Sequence, residues 1–279
     1  MSTPLGGYVK KKNYLVCIDS DGCTVDSMDI KHIRCFGPCM VDEWDLQPYR
    51  EKLLNRWNEI NLYSLTRGIN RFKGLAVILK EVDEKISPVR DLDSLLSWVE
   101  ESDELSNAAI LRAAEEMDSQ CLKKALHWSE AVNQKIRALP PEEIRPFPGA
   151  KEAIERLHMT CDIAVVSSAN HEAVMEEWSR FGLLEHTDVV LAQNAGTKTN
   201  CIRALLEFGY DTDKVLMIGD ALGDMEAADR NGVLYYPILA GNEKERWQGI
   251  TEGLKHLMDS TYEGEYQRKL KTRFIENLS

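Results

Sequence analysis

Asp19-Ser20-Asp21-Gly22 sets two carboxylates at i and i+2, directly behind the short apolar run Tyr14-Leu15-Val16-Cys17-Ile18. That run has the length of one buried β-strand and stops at the first acid. Strand, acid pair and glycine make a compact acidic turn at a strand's C-terminal end, which is where open α/β sheets bind ligands. Neither packing nor solubility requires such a pair. Its chemistry is a division of labour, in which one carboxylate attacks or holds a metal while its neighbour moves a proton. Alone, an Asp-x-Asp is more often a turn or the first turn of a helix, so its meaning depends on what else reaches the same edge.

Three other polar features do reach it. Ser167-Ser168 follows the apolar run 163–166, Lys198 lies in the loop after 189–191, and Gly219-Asp220-Ala221-Leu222-Gly223-Asp224 follows 215–218. Each has a plainer use: Ser167 as a helix N-cap, Lys198 as a solvated loop lysine, and Asp224 as a first-turn acid favoured by the helix dipole. In a parallel sheet, however, all of these strand ends share one edge. A nucleophile candidate, a hydroxyl, an ammonium and a second acidic pair then converge on one crevice.

The elements that must position them alternate. Strand-like runs fall at 14–18, 163–166, 189–191, 215–218 and 234–238, with helical patterns at 149–158, 171–181, 199–208 and 222–231. This rhythm predicts an α/β core, a Rossmann-like parallel sheet with helices on its faces. Residues 28–139 break the rhythm with helical patterns at 47–61, 72–82, 92–101 and 105–138 and no convincing strand. They read as an all-helical domain inserted after the first strand, the core being 1–27 with 140–279. Pro140-Pro141 and Pro146-Phe147-Pro148-Gly149 mark the return. The tail from about residue 261 is charged and helical in pattern.

Bulk properties narrow the function classes. The 279 residues suit a core domain with an insertion, and 43% hydrophobic with 29% charged residues is ordinary for a globular protein. No apolar stretch approaches the roughly 18 residues of a membrane span. The first residues, MSTPLGGYVKKKN, lack an apolar signal core and read as a short loose arm, with Lys10-Lys11-Lys12 a solvated lead-in to the first strand. A net charge of −12 argues against nucleic-acid binding and requires a local cation or metal for any anionic substrate. Seven cysteines without a signal favour reduced thiols and a cytoplasmic location. Cys35-Phe36-Gly37-Pro38-Cys39 has no second ligand pair nearby and reads as two packing thiols rather than a zinc site.

Taken together, the motifs resemble those of the haloacid dehalogenase superfamily with a helical cap. Asp19-Ser20-Asp21-Gly22-Cys23-Thr24-Val25-Asp26-Ser27 resembles its first motif, Ser167 in Val165-Val166-Ser167-Ser168 its second, Lys198 its third and Gly219-Asp220-x-x-x-Asp224 its fourth. Cys23 stands where relatives commonly carry Thr, and Thr24 where an apolar residue is frequent; neither change removes a charge that the chemistry needs. The resemblance implies Asp19 as nucleophile through an aspartyl-phosphate and Asp21 as acid and base toward leaving group and water. Mg²⁺ would be held by Asp19, the Asp21 backbone carbonyl and Asp220. Asp224 either ligates directly or holds a bound water or Lys198. Ser167 and nearby backbone N–H groups would hold the phosphoryl oxygens, with Ser168 beside them at the substrate. A carboxylate meeting a phosphate at 4 Å is opposed by roughly 4 kcal/mol at an effective dielectric of 20, which a divalent cation and Lys198 would offset.

Asp21 also selects the branch. In the resembling phosphonatases and dehalogenases this second acid is absent, so its presence points to a phosphatase acting on a small phosphorylated metabolite. The alternative is a sugar phosphomutase of the β-phosphoglucomutase type. A non-catalytic binding protein that keeps the fold is disfavoured, because every charged motif residue is in place. Substrate choice is expected in the cap. Its segment 61–74 carries Arg67, Arg71 and Lys73 between helix-interrupting glycines, so Arg67 or Arg71 is the expected contact to a distal part of the substrate. Lys31, just after the first motif, is a further substrate-binding candidate.

Overall fold

Leu15, Val16, Cys17 and Ile18 have no exposed surface, and together with Tyr14 they form the strand at the centre of a parallel sheet. In the computed structural model, which describes residues 5–279, this strand β1 is Tyr14–Ile18. The chain continues through the short β2 (Val25–Asp26), α1 (Met28–Lys31), a π-helical turn (His32–Phe36) and α2 (Gly37–Glu43). Five longer helices follow: α3 (Arg50–Leu62), α4 (Arg71–Lys85), α5 (Leu92–Glu101), α6 (Asn107–Glu116) and α7 (Gln120–Arg137). Strand β3 (Arg145–Pro146) returns antiparallel to β2. From there helix and strand alternate: α8 (Ala150–His158), β4 (Cys161–Val166), α9 (His171–Arg180), β5 (Val189–Leu191), α10 (Lys198–Leu206), β6 (Val215–Gly219), α11 (Leu222–Asn231) and β7 (Leu234–Pro237). Helices α12 (Glu243–Met258) and α13 (Glu265–Asn277) end the chain.

The sheet order is β5-β4-β1-β6-β7, and every neighbouring pair is parallel. Strands β4, β6 and β7 are buried at every residue, as a sheet covered on both faces requires. This is the α/β core that the alternating pattern predicts. The chain divides into two compact units, one made of the residues up to Ser27 with Ile144–Ser279, the other Met28–Glu143.

The second unit is all-helical. Its core is aromatic: Trp57 meets Trp128 edge-on at 5.8 Å between ring centroids, and Phe72 meets Trp98 edge-on at 5.2 Å. Two local expectations are corrected. Gly74 does not interrupt a helix; it lies inside α4, where a Cβ would stand 2.5 Å from Asn61 Oδ1. Only Gly68, with φ of 71°, makes the turn. The pattern over 105–138 is two helices, broken where Asp118 takes a φ of 44°. Helix α12 was not read from the sequence at all.

The N-terminal arm is also corrected. Residues 1–4 lie outside the described residues, but 8–12 are not loose. Tyr8 is buried with its hydroxyl 2.5 Å from that of Tyr210, and the Lys11 and Lys12 backbone N–H groups both donate to Asp162 Oδ2 at 2.9 Å. Lys12 Nζ donates to the carbonyls of His158 and Cys161.

Candidate active site

The register of the sheet places the acids. Ile18 pairs with Val165 on one side and Ile218 on the other, so Asp19 emerges between the residues leading to Ser167 and those leading to Asp220. The Asp19 N–H donates to the Ile218 carbonyl at 3.0 Å and holds the acid at the strand tip. Beyond it the turn closes on itself: Thr24 and Val25 donate their N–H groups to the Ser20 carbonyl, and Thr24 Oγ1 donates to the Asp19 carbonyl at 2.8 Å. Asp21 is half-buried, and its Oδ1 accepts the Ser27 hydroxyl at 2.6 Å.

Asp19, Asp220 and Asp224 are buried, and one carboxylate oxygen from each lies within 4.8 Å of the others. Lys198, the first residue of α10, reaches this cluster. Its Nζ stands 2.8 Å from Asp19 Oδ2 and 2.5 Å from Asp224 Oδ1. Asp224 Oδ2 accepts the Ala221 N–H at 3.1 Å, fixing the first turn of α11. Gly219 makes this possible: a Cβ there would stand 2.3 Å from Asp224 Cγ. The Tyr235 hydroxyl donates to the Gly219 carbonyl at 3.0 Å from β7.

Burial pushes the Asp19 carboxyl up to about 6, with Lys198 pulling against it. Burial also raises Asp224, reinforced by Asp220 and opposed by Lys198. For Lys198 burial disfavours the ammonium, but Asp19 and Asp224 outweigh it and hold the side chain above its usual value. Two carboxylates therefore share one ammonium, and a third lies beside them, in a site that water barely reaches. Hard oxygen donors with excess negative charge fit a divalent cation such as Mg²⁺. Among the described residues this is the one His, Cys, Asp or Glu group of such geometry.

The second motif lies on the adjoining strand. Ser167 is buried just past β4, its N–H donating to the Leu191 carbonyl at 2.9 Å and its Oγ accepting the Ala169 N–H at 3.2 Å. Ser168 is exposed. Asn170, not Ser167, caps α9, its Oδ1 accepting from Glu172 and Ala173. Asp19, Asp220 and Asp224 are thus in mutual reach, and Lys198 reaches Asp19 and Asp224, with Ser167 on the neighbouring strand end.

Lys31, Arg67 and Arg71 belong to the helical unit. Lys31 and Arg67 are buried, and Arg67 Nη1 donates to the Leu62 carbonyl at 2.8 Å. Arg71 Nη1 donates to Ser129 Oγ at 3.1 Å and Asn133 Oδ1 at 2.8 Å, and its guanidinium lies over the Phe36 ring. Sequence reading missed Ser27 and Tyr235, which bond to Asp21 and to the residue before Asp220. Ser27 ends the first motif and was legible there; Tyr235 sits in a strand whose pattern shows only burial.

No curated protein matches this sequence. Among solved structures, the chain is similar to an inferred phosphoglycolate phosphatase from Lactobacillus delbrueckii subsp. bulgaricus, at 15% identity over 81% of this chain and 85% of that one, with a TM-score of 0.51. It is equally similar to an inferred β-phosphoglucomutase from Thermotoga maritima, at 16% identity over 86% of this chain and 99% of that one, also with a TM-score of 0.51. At such identities the likeness is one of fold. Residues 97–236, half of the chain, match the family described as haloacid dehalogenase-like hydrolase. The chain belongs to the haloacid dehalogenase-like hydrolases.

Proposed function

We propose that this hydrolase is a Mg²⁺-dependent phosphatase acting on a small phosphorylated metabolite through an aspartyl-phosphate on Asp19. The observation that carries the reading is the buried group of Asp19, Asp220 and Asp224, with the Lys198 ammonium on Asp19 and Asp224. Asp19, the Asp21 carbonyl and Asp220 would hold the cation, with Asp224 at the same site; Mg²⁺ supplies charge neutralisation of the phosphate and its attacker. In the first step an Asp19 oxygen attacks phosphorus while the ester P–O bond breaks, and Asp21 gives its proton to the departing alkoxide. In the second, Asp21 takes a proton from water, whose oxygen attacks phosphorus and frees the Asp19 carboxylate and inorganic phosphate. Lys198 and Ser167 would stabilise the charge on the transferring group. We read the helical unit, with Lys31, Arg67 and Arg71, as the part that selects the substrate, and Ser168 as a further substrate contact. The seven free, buried thiols support a cytoplasmic location.

The test is phosphate release from a panel of phosphorylated metabolites. Activity should require Mg²⁺ and vanish in Asp19→Asn; full activity in that variant would overturn the mechanism. Isomerisation exceeding hydrolysis, with dependence on a bisphosphate activator, would make the protein a sugar phosphomutase instead.

A further inference from the structure

The six tryptophans are divided unevenly in what they hold. Trp44, Trp57, Trp98 and Trp128 lie in the helical unit. The other two, Trp178 on α9 and Trp247 on α12, are the tryptophans of the core unit, and both are buried with their indole N–H groups on the acidic turn. Trp178 Nε1 donates to Ser20 Oγ at 2.9 Å, between the two acids. Trp247 Nε1 donates to the Cys23 carbonyl at 2.8 Å, on the far limb of the turn.

These bonds differ in kind from those that close the turn. The Thr24 and Val25 bonds to the Ser20 carbonyl, and the Thr24 hydroxyl bond to the Asp19 carbonyl, are local and fix only its internal shape. The two indoles come from helices 158 and 224 residues away in sequence and tie the turn to the rest of the core. An indole N–H can only donate, and when buried it needs its acceptor. Ser20 and Cys23 have no exposed surface, so water does not compete for either bond. The turn is therefore held at two points by donors on different helices.

We propose that Trp178 and Trp247 are positioning residues for the acidic turn, setting where Asp19 and Asp21 present their oxygens. The proposal rests on the reading that those two acids do the chemistry. It assigns the serine between them a task of its own, as acceptor for a remote helix. Phenylalanine keeps most of the ring volume and deletes the donor, while Ser20→Ala deletes the acceptor and leaves Trp178 in place.

The experiment measures kcat and KM at saturating Mg²⁺, and separately Mn²⁺ affinity from the free-ion electron spin signal. The proteins are the full-length wild type, Trp178→Phe, Ser20→Ala, their double variant and Trp247→Phe. Each single change should lower kcat roughly tenfold, since small misplacements of reacting groups are costly, with KM within about twofold. Mn²⁺ affinity should also fall roughly tenfold, as it does when groups that orient metal ligands are removed. Because Trp178 and Ser20 act through one bond, the double variant should be no worse than either single one. Kinetics and Mn²⁺ affinity both within about twofold of wild type, or losses that multiply in the double variant, would overturn the proposal. If Trp178→Phe does not fold, Ser20→Ala and Trp247→Phe decide it on the same readouts. A wild type that hydrolyses no phosphate ester yet binds Mn²⁺ in an Asp19-dependent way sinks the functional reading alone, and the Mn²⁺ comparison then judges the positioning. A wild type that does neither sinks both.

Discussion

The same sheet buries carboxylates at both of its edges, and they behave in opposite ways. At the C-terminal edge Asp19, Asp220 and Asp224 crowd together, one ammonium serving Asp19 and Asp224, and burial raises the Asp19 and Asp224 carboxyls. At the N-terminal edge Asp162 Oδ2 accepts the Lys11 and Lys12 N–H groups at 2.9 Å and the Tyr210 hydroxyl at 2.6 Å. Beside it Asp188 accepts the Ile163 N–H and the Lys11 ammonium, both at 2.8 Å. Burial alone would raise Asp188; the Lys11 ammonium and the Ile163 N–H outweigh it and hold the carboxyl below its usual range. Burial of an acid is therefore no sign of function by itself. Three neutral donors on one Asp162 oxygen make a tether for the N-terminal arm; carboxylates gathered within 4.8 Å of one another make a place for a cation.

The largest effect expected from this contrast is on activity. Asp19→Asn should lower kcat by about 10⁴-fold or more, the order found when a nucleophile is removed. In metal-free protein the same change should leave the melting temperature equal or higher, because it removes a carboxylate whose charged form is disfavoured by burial. Asp162→Ala should do the reverse. It strands three donors and should cost about 3 kcal/mol in urea unfolding, while kcat per folded molecule stays unchanged. Loss of activity in folded Asp162→Ala would break the division between the two edges.

That division was only half legible in the sequence. The C-terminal edge was visible because each acid, serine or lysine lies at the end of an apolar run or in the loop behind it, and strand ends in a parallel sheet share an edge. The N-terminal edge was hidden because its bonds join Lys11 and Lys12 to an acid some 150 residues on, and neither partner carries a local signal. Asp162 falls just ahead of the apolar run 163–166, although the strand itself begins at Cys161. Helix α12 was missed for a different reason. Trp247, Ile250 and Leu257 repeat at helical spacing, but Gly249 and Gly253 look like breaks. In the structure they face Tyr236, where a Cβ on Gly253 would stand 3.1 Å from the ring and one on Gly249 3.2 Å from the hydroxyl. They are there for close packing. The left-handed Asp118 that divides α6 from α7 follows no glycine or proline rule at all.

A smaller effect appears in the pH dependence of stability. In metal-free protein the raised Asp19 carboxyl keeps its proton up to about 6, whereas an unfolded aspartate loses it near 3.9. The folded state binds more protons across that window, so this group's contribution falls as pH rises from about 4 to 6. His158, 3.2 Å from Asp188, has the opposite sign. Burial and Lys12 lower it, so the unfolded histidine protonates first as pH falls through about 6.5, and stability falls with it. Urea unfolding of wild type, Asp19→Asn and His158→Gln in EDTA across pH 4–7 separates the two. Relative to wild type, Asp19→Asn should gain stability as pH rises and His158→Gln should gain it as pH falls. Parallel curves for all three proteins would remove the electrostatic difference between the edges.

The smallest effect tests which donors hold the N-terminal edge. Lys11 serves it twice, through its backbone N–H to Asp162 and through its ammonium to Asp188. The ammonium's side chain is 65% exposed, so solvent and salt screen it, while the backbone bond to the buried Asp162 survives any substitution except proline. Lys11→Ala should therefore shift the melting temperature at pH 7 by about 1 °C or less, and the shift should vanish at high salt. Asp188 keeps the Ile163 N–H in that variant and so remains ionised at neutral pH. Thermal unfolding at low and high salt checks this. A drop of several degrees that persists in salt would mean that the side chain, not the backbone donors, anchors the arm. The N-terminal edge would then depend on a charge pair, as the C-terminal edge does, instead of on backbone and hydroxyl donors.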